Sequence, residues 1–248
     1  MTDRTSSNQF LQPSPPMTEQ ELSRYSRQTG LDVIGTAGQE ALRHTSVLIV
    51  GVGGLGSPIA LYLAGAGIGR LGLVDDDVVS ASNLHRQVLY GDDQMGQSKA
   101  LCAARRLSAL NPHVTVEPHA LRLTPENAEV IIGRYDIVVD GCDNYATRYL
   151  IDDVCGRLGR PYVYGAVSGF EGQVSVFHAG PQPRGYRDLY PDMPPEPASR
   201  AIVGMTPGVV GSVMAHEVVK LVCGYASSLA GSLWCIDLRS LESYRISL

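Results

Sequence analysis

The sequence predicts an α/β fold: a Rossmann-like, doubly wound sheet, parallel in its N-terminal half and continued by antiparallel C-terminal strands. Three observations predict it. Short apolar runs alternate with helical segments as far as residue 158, the pattern of parallel strands joined by crossover helices. The run VLIV at 47–50 flows straight into Gly51-x-Gly53-x-x-Gly56, which reads as strand, tight turn and helix start. Beyond residue 160 the alternation gives way to strand pairs separated by glycine-rich or polar turns.

From the N-terminus, residues 18–24 read as a short helix, with Thr18 as cap and Glu21 three residues on, a capping box. A second helix is expected around 39–42. Strand 47–51 and helix 56–66 come next, the helix rich in small residues that allow close packing on a sheet. GRLGLVD, 69–75, gives the second strand. Segment 98–110 is a strong helix with Leu101, Ala104, Leu107 and Leu110 on one face, and Asn111-Pro112 stops it. Residues 114–117 alternate as a strand, 125–132 are helical, and IVVDG, 137–141, is a buried-type strand. Helix 144–158 ends at Gly159 and Pro161. Strands 162–167 and 173–178 flank a turn, GFEGQ. A Pro-dense loop, 180–199, precedes helix 207–222, and strands 232–237 and 242–247 close the chain.

Length and composition set the bounds. The chain has 248 residues, 44% hydrophobic and 18% charged, enough for one large α/β domain. The expected division is a disordered segment, 1–17, rich in Ser, Pro, Gln and Asn, then a single domain over 18–248. The net charge of −5 argues against a nucleic-acid footprint. No apolar run reaches membrane-spanning length, and the N-terminus lacks the apolar core of a signal peptide. Five cysteines, at 102, 142, 155, 223 and 235, show no paired spacing, which points to a reduced, cytoplasmic setting.

The glycine turn is a ready phosphate site, though many dehydrogenases share it. Two segments downstream of it are more specific: VDDDVVSASNLHRQ at 74–87 and GQSKA at 96–100. Asp75 is the first carboxylate after the second strand, at the sheet edge where ligands bind, and suits ribose hydroxyls. Asp77 is expected to orient its neighbours. Asn83 and Arg86 lie three apart, so a helical turn places them on one face. The Arg fork suits phosphate oxygens, and Ser82 and Gln87 belong to the same cluster. Lys99 opens a helix, where the dipole disfavours a cation, so it hints at an anionic ligand; the alternative is an exposed lysine. Asp143 lies just beyond strand 137–141 and is either a Mg²⁺ ligand beside a triphosphate or a helix N-cap. Asn144 could share either role.

Taken together, Arg24-Tyr-Ser-Arg27-Gln28, GVGGLGSP, DDDVVSASNLHRQ, GQSKA, NPHV, DGCDN and GFEGQVSVF resemble the MoeB/ThiF/HesA family, bacterial relatives of ubiquitin-activating enzymes. The match runs in order from about Glu21 to the C-terminus. Family members bind ATP·Mg²⁺ and adenylylate a C-terminal carboxylate, usually of a small ubiquitin-like sulfur-carrier protein, and are typically homodimers. The resemblance implies that Gly51, Gly53 and Gly54 lie under the nucleotide and that Asp75 holds the ribose. It implies phosphate contacts from Asn83, Arg86 and Lys99, and Mg²⁺ at Asp143. Arg27 would reach into the partner subunit's site. Such a set fits the chemistry, because an incoming carboxylate and a triphosphate repel and preorganised cations offset that charge.

Two family features are missing. Many members hold a structural zinc with two Cys-x-x-Cys pairs; the first position here reads Gly185-Tyr186-Arg187-Asp188 and the second is absent, so no zinc is expected. Many members also carry a cysteine in the loop before the long C-terminal helix, and 194–205 has none. The expected product is therefore a released acyl-adenylate. Adenylylation of a peptide or small-molecule acid is the alternative substrate reading. An NAD-dependent oxidoreductase and a non-catalytic scaffold are the rival classes. Neither accounts for Asn83, Arg86, Lys99 and Asp143 together.

Overall fold

The computed structural model describes residues 16–195, 199–225 and 228–248. The segment expected to be disordered, 1–17, falls up to residue 15 outside these, as does 196–198 of the Pro-dense loop. Eight strands form one sheet in the order β3-β2-β1-β4-β5-β6-β7-β8. They are β1 (Ser46–Val50), β2 (Arg70–Val74), β3 (Thr115–His119), β4 (Ile137–Asp140), β5 (Tyr162–Ser168), β6 (Glu171–Phe177), β7 (Ser232–Asp237) and β8 (Glu242–Ser247). The pairs among β1 to β5 are parallel and those from β5 to β8 antiparallel, as the sequence predicts.

Side-chain alternation along the central strands builds two cores. On one face Val47 and Ile49 of β1 and Leu71 and Leu73 of β2 meet helices α3 (Gly56–Ala66), α4 (Lys99–Leu110) and α8 (Met205–Cys223). On the other, Leu48, Val50 and Val74 meet α5 (Ala128–Ile132) and α6 (Tyr145–Leu158). Helix α8 crosses α3 closely at Gly211: a Cβ there would stand 2.5 Å from Pro58 Cγ, so only glycine fits.

The predicted capping box forms: Thr18 N–H donates to Glu21 Oε2 and Glu21 N–H to Thr18 Oγ1. Helix α1 (Glu19–Thr29) then runs five residues past the expected end, and α2 spans Gly35–His44. Helix α5 is shorter than expected, because Asn127 Oδ1 accepts from Thr124 N–H and makes a turn of the first residues. The β5–β6 connection is tighter than GFEGQ implied. Ser168 pairs with Glu171, leaving only Gly169 and Phe170 in the turn, with Gly169 at φ +57. A one-turn helix, α7 (Tyr186–Leu189), sits inside the Pro-dense loop. No apolar periodicity marks it.

Candidate active site

Strand order reverses between β1 and β4, so the crevice beyond their carboxyl ends is where a doubly wound sheet binds ligands. Register brings the ends level: Val50 pairs with both Val74 and Asp140. Gly51, Asp75 and Gly141 therefore leave the sheet side by side. Gly51 turns at φ +88, and a Cβ on it would meet Gly141 O at 2.7 Å. A Cβ on Gly56 would meet Gly51 O at 2.1 Å. These two glycines are steric necessities. They fold the chain into α3 with backbone close to the crevice, which opens into a cavity of about 860 Å³. Gly51, Gly53 and Gly54 all line it.

Asp75 lines the same cavity. Its Oδ2 accepts Val52 N–H at 2.8 Å and its Oδ1 accepts Asp77 N–H at 2.9 Å. Each oxygen keeps a second lone pair for a hydroxyl donor. Burial raises the carboxyl above its ordinary range, while the two N–H groups and Lys99 pull it back. Lys99 is not the exposed residue of the alternative reading. Its side chain is 5% exposed, lines the cavity, and puts Nζ 2.9 Å from Asp77 Oδ2. Asp77, the partner of Lys99, is itself 70% exposed. Ser98 caps α4, accepting from Leu101 N–H, and seats Lys99 at the helix start.

Arg86 reaches the cavity along Gly54, its Cδ 3.5 Å from where a Cβ would stand. Its Nη1 donates to Ser82 O at 3.2 Å. Gln87 is buried against Gly53, and its Oε1 has no hydrogen-bond partner. Ser82 and Asn83 do not line the cavity. They form a 3-10 turn, Ala81–Asn83, beside it, and Asn83 O accepts the N–H groups of Arg86 and Gln87. Their visible part is to hold Arg86 and Gln87 in place.

Asn144, not Asp143, caps α6, accepting Thr147 N–H at 2.9 Å. That removes the capping alternative for Asp143, which stands one residue earlier, exposed and lining the cavity. Asn144 lines it too. Just behind lies a pair that the sequence pattern did not single out, Asp140 and Arg148. Asp140 is wholly buried, and its Oδ2 accepts Tyr162 O–H at 2.9 Å and stands 3.4 Å from Arg148 Nε. Arg148 was legible in principle. It is a cation in the opening turn of a helix, the same signal that singled out Lys99.

The far wall carries Tyr164, Gln173, Tyr186 and Tyr190. Gln173 Nε2 donates to both the Tyr164 and Tyr190 hydroxyls, at 2.7 and 2.9 Å. Tyr186 belongs to the Gly185–Asp188 stretch, which a buried carboxylate anchors. Asp152 Oδ1 accepts Tyr186 N–H at 2.7 Å, its Oδ2 accepts Arg187 N–H at 3.2 Å, and His178 Nε2 lies 2.7 Å away. Arg187 adds a two-pronged pair with Asp153, at 2.8 and 2.8 Å, which lowers the Asp153 pKa. This polar staple ties the wall to α6. Among the described residues no group of three or more His, Cys, Asp or Glu stands ready to hold a metal.

Arg27 is exposed near the end of α1 and lies outside its own chain's cavity. All five cysteines are free thiols. Cys142 and Cys235 line the cavity, which the sequence did not reveal. Burial pushes both thiols up, Cys142 further through Asp140. No helix among the described residues is long and apolar enough to cross a membrane.

A nucleoside triphosphate fits what this cavity offers. Gly53 and Gly54 line it without side chains of their own, and Lys99 and Arg86 line it as cations. Magnesium is commonly held by phosphate oxygens with one or two carboxylates, so Asp143, with no partner among the described residues, suits that ion.

Comparison with known proteins identifies similar chains. A protein named sulfur carrier protein adenylyltransferase, from Thermus thermophilus, is 48% identical over 229 residues, 89% of this chain and 84% of its own. The probable adenylyltransferase/sulfurtransferase MoeZ of Mycobacterium tuberculosis is 43% identical over 97% of this chain. The adenylyltransferase and sulfurtransferase MOCS3 of Xenopus laevis is 46% identical over 89%. The chain spans 63% of the MoeZ relative and 50% of the MOCS3 relative. Among solved structures, PaaA superposes with a TM-score of 0.81 at 25% identity, covering 100% of this chain and 77% of that one. Escherichia coli MccB, at 23% identity over 90% of this chain and 71% of its own, shares the fold with a TM-score of 0.78. Residues 25–248 match the ThiF family, and the chain belongs to it.

Proposed function

We propose that the protein adenylylates the C-terminal carboxylate of a small ubiquitin-like sulfur-carrier protein, consuming ATP with Mg²⁺ and releasing pyrophosphate. One observation carries the reading: the glycine turn, Asp75, Arg86, Lys99 and Asp143 all open on a single cavity at the switch point of the sheet. The names of the relatives support the acceptor, above all the Thermus protein, most of whose length this chain spans.

Each residue has a task. The turn at Gly51–Gly56 presents backbone at the start of α3, where the helix dipole favours anions. Asp75 accepts from ribose hydroxyls and fixes the nucleotide's reach. Lys99 and Arg86 balance phosphate charge, and Asn83 backs Arg86. Asp143 holds the magnesium ion, which lowers the repulsion between two anions when bound. The acceptor carboxylate attacks the α-phosphorus, the bond to the bridging oxygen breaks, and pyrophosphate leaves with that electron pair. Positioning and charge balance supply the rate. The far tyrosine wall, whose Tyr186 and Tyr190 come from the Pro-dense loop, receives an extended tail. Arg27 completes the site of a second subunit in a homodimer. The five free thiols suit a reducing, cytoplasmic setting.

ATP–pyrophosphate exchange across a panel of carrier proteins, peptides and small acids tests this. Exchange driven by a carrier is expected. Exchange driven only by peptides or small acids moves the substrate to that class. NAD binding with no ATP binding overturns the reading.

A further inference from the structure

We infer that Arg148 is the positioning residue for Asp143, acting through the backbone of Cys142. The inference rests on the proposed metal role of Asp143 and adds the device that aims it. Asp140 Oδ1 accepts Cys142 N–H at 2.9 Å, and Arg148 Nη2 donates to Cys142 O at 3.3 Å. Both polar groups of one residue's backbone are therefore held by the two members of one buried ion pair. The Cys142 carbonyl belongs to the peptide that leads into Asp143, so Arg148 sets the plane from which that carboxylate projects. On the other side Asn144 is fixed by its cap bond to Thr147. Asp143 stands between these two clamps.

The arginine is itself held. Its guanidinium carbon lies 5.6 Å from the Tyr145 ring centre and 5.5 Å from that of Tyr164. Tyr162 O–H braces Asp140 from below. Burying an ion pair is a poor source of stability, because desolvation consumes most of the attraction. A planar fork that reaches a carboxylate and a carbonyl at once does confer geometry, and lysine cannot copy it. That is why the ion pair sits at the turn that presents Asp143.

Calorimetric titration with the non-cleavable analogue AMPCPP, with and without Mg²⁺, tests this on wild type, Arg148→Lys, Asp143→Asn and the double variant, each checked by melting. Wild type is expected to bind more tightly with Mg²⁺. Arg148→Lys should lose about tenfold of that gain, the worth of one charge-assisted contact, with Mg²⁺-free affinity within about twofold. The double variant should be no worse than Asp143→Asn alone. A merely structural arginine would add its loss to that of Asp143. Retention of the full Mg²⁺ gain by Arg148→Lys, or a further tenfold loss in the double variant, overturns the inference. If Arg148→Lys does not fold, Tyr162→Phe loosens the same clamp without touching a charge. It must then lose part of the Mg²⁺ gain, and an unchanged gain overturns the inference. Wild-type binding indifferent to Mg²⁺ overturns the inference and leaves the nucleotide site standing. No AMPCPP binding at all overturns the proposed function and this inference with it.

Discussion

Replacing Lys99 by methionine separates the site's function from its stability. The ammonium is 2.9 Å from Asp77, but that partner is 70% exposed. An ion pair with one wet member is worth at most about 1 kcal/mol, and methionine fills the space of the lysine stem. A chain of this length shifts its Tm by about 2–4 °C per kcal/mol, so the variant should melt within about 4 °C of wild type. Nucleotide binding should respond far more. A charge-assisted hydrogen bond to a phosphate oxygen contributes about 1.5–3 kcal/mol, which predicts AMPCPP·Mg²⁺ affinity about 10- to 150-fold weaker. Calorimetry gives the affinity and a thermal melt gives the Tm. Affinity within about threefold of wild type would refute the placement of Lys99 on the phosphates, because thermal noise cannot hide a contact of that size.

Named contacts support three further outcomes. Asp152→Ala strands the buried Tyr186 N–H and frees Arg187 N–H and His178, so about 3 kcal/mol and about 6–12 °C of Tm should go, with faster proteolysis around α7; an unchanged melt and cleavage pattern would dismiss the staple. Burial pushes the Glu117 carboxyl up, but the Tyr135 hydroxyl and the Arg70 and Arg134 guanidinium groups outweigh it, leaving the pKa below its ordinary 4.5. Its contribution is therefore present above pH 4.5 and fades as pH drops through the lowered value, so Glu117→Gln should lose less Tm than wild type on acidification. Parallel Tm–pH curves for the two proteins would contradict this. Arg27→Ala and Lys99→Met, each impaired in pyrophosphate exchange, should recover part of it when their subunits are mixed, since one site of the heterodimer keeps both residues. No recovery after proven subunit exchange removes Arg27 from the partner's site.

Much of the architecture was legible because it depends on local pattern. The glycine spacing at 51–56 is dictated by clashes of 2.7 and 2.1 Å, which no other residue escapes, so it announces itself. Central strands bury both faces and read as continuous apolar runs. Residues contributed by the ends of β1, β2 and β4 could be brought together from sequence, because parallel strands carry their carboxyl ends to one edge. What stayed hidden depends on pairing across the fold. Asp140 looks like one more acidic residue until Arg148 and Tyr162 close on it from α6 and β5. Tyr186 and Tyr190 lie in a stretch without periodicity, and contacts from far along the chain hold them to the cavity, Asp152 at the Tyr186 N–H and Gln173 and Tyr149 at Tyr190. The capping choice between Asp143 and Asn144 turned on a single residue, the margin at which helix ends are least readable. Ser82 and Asn83 carried the right residue types but do not line the cavity; their carbonyls accept from Arg86 and Gln87 instead.

If this cavity joins an acid to the α-phosphoryl group of ATP, the product carries AMP on a carboxylate. Intact-mass measurement of a sulfur-carrier protein after incubation with enzyme, ATP and Mg²⁺ tests it most directly, run beside the same carrier with an amidated C-terminus. An added AMP is expected on the free acid, with pyrophosphate release in step with it, and neither is expected with the amide. Equal adenylylation of the amidated carrier, or pyrophosphate release that ignores the carboxylate, would contradict it.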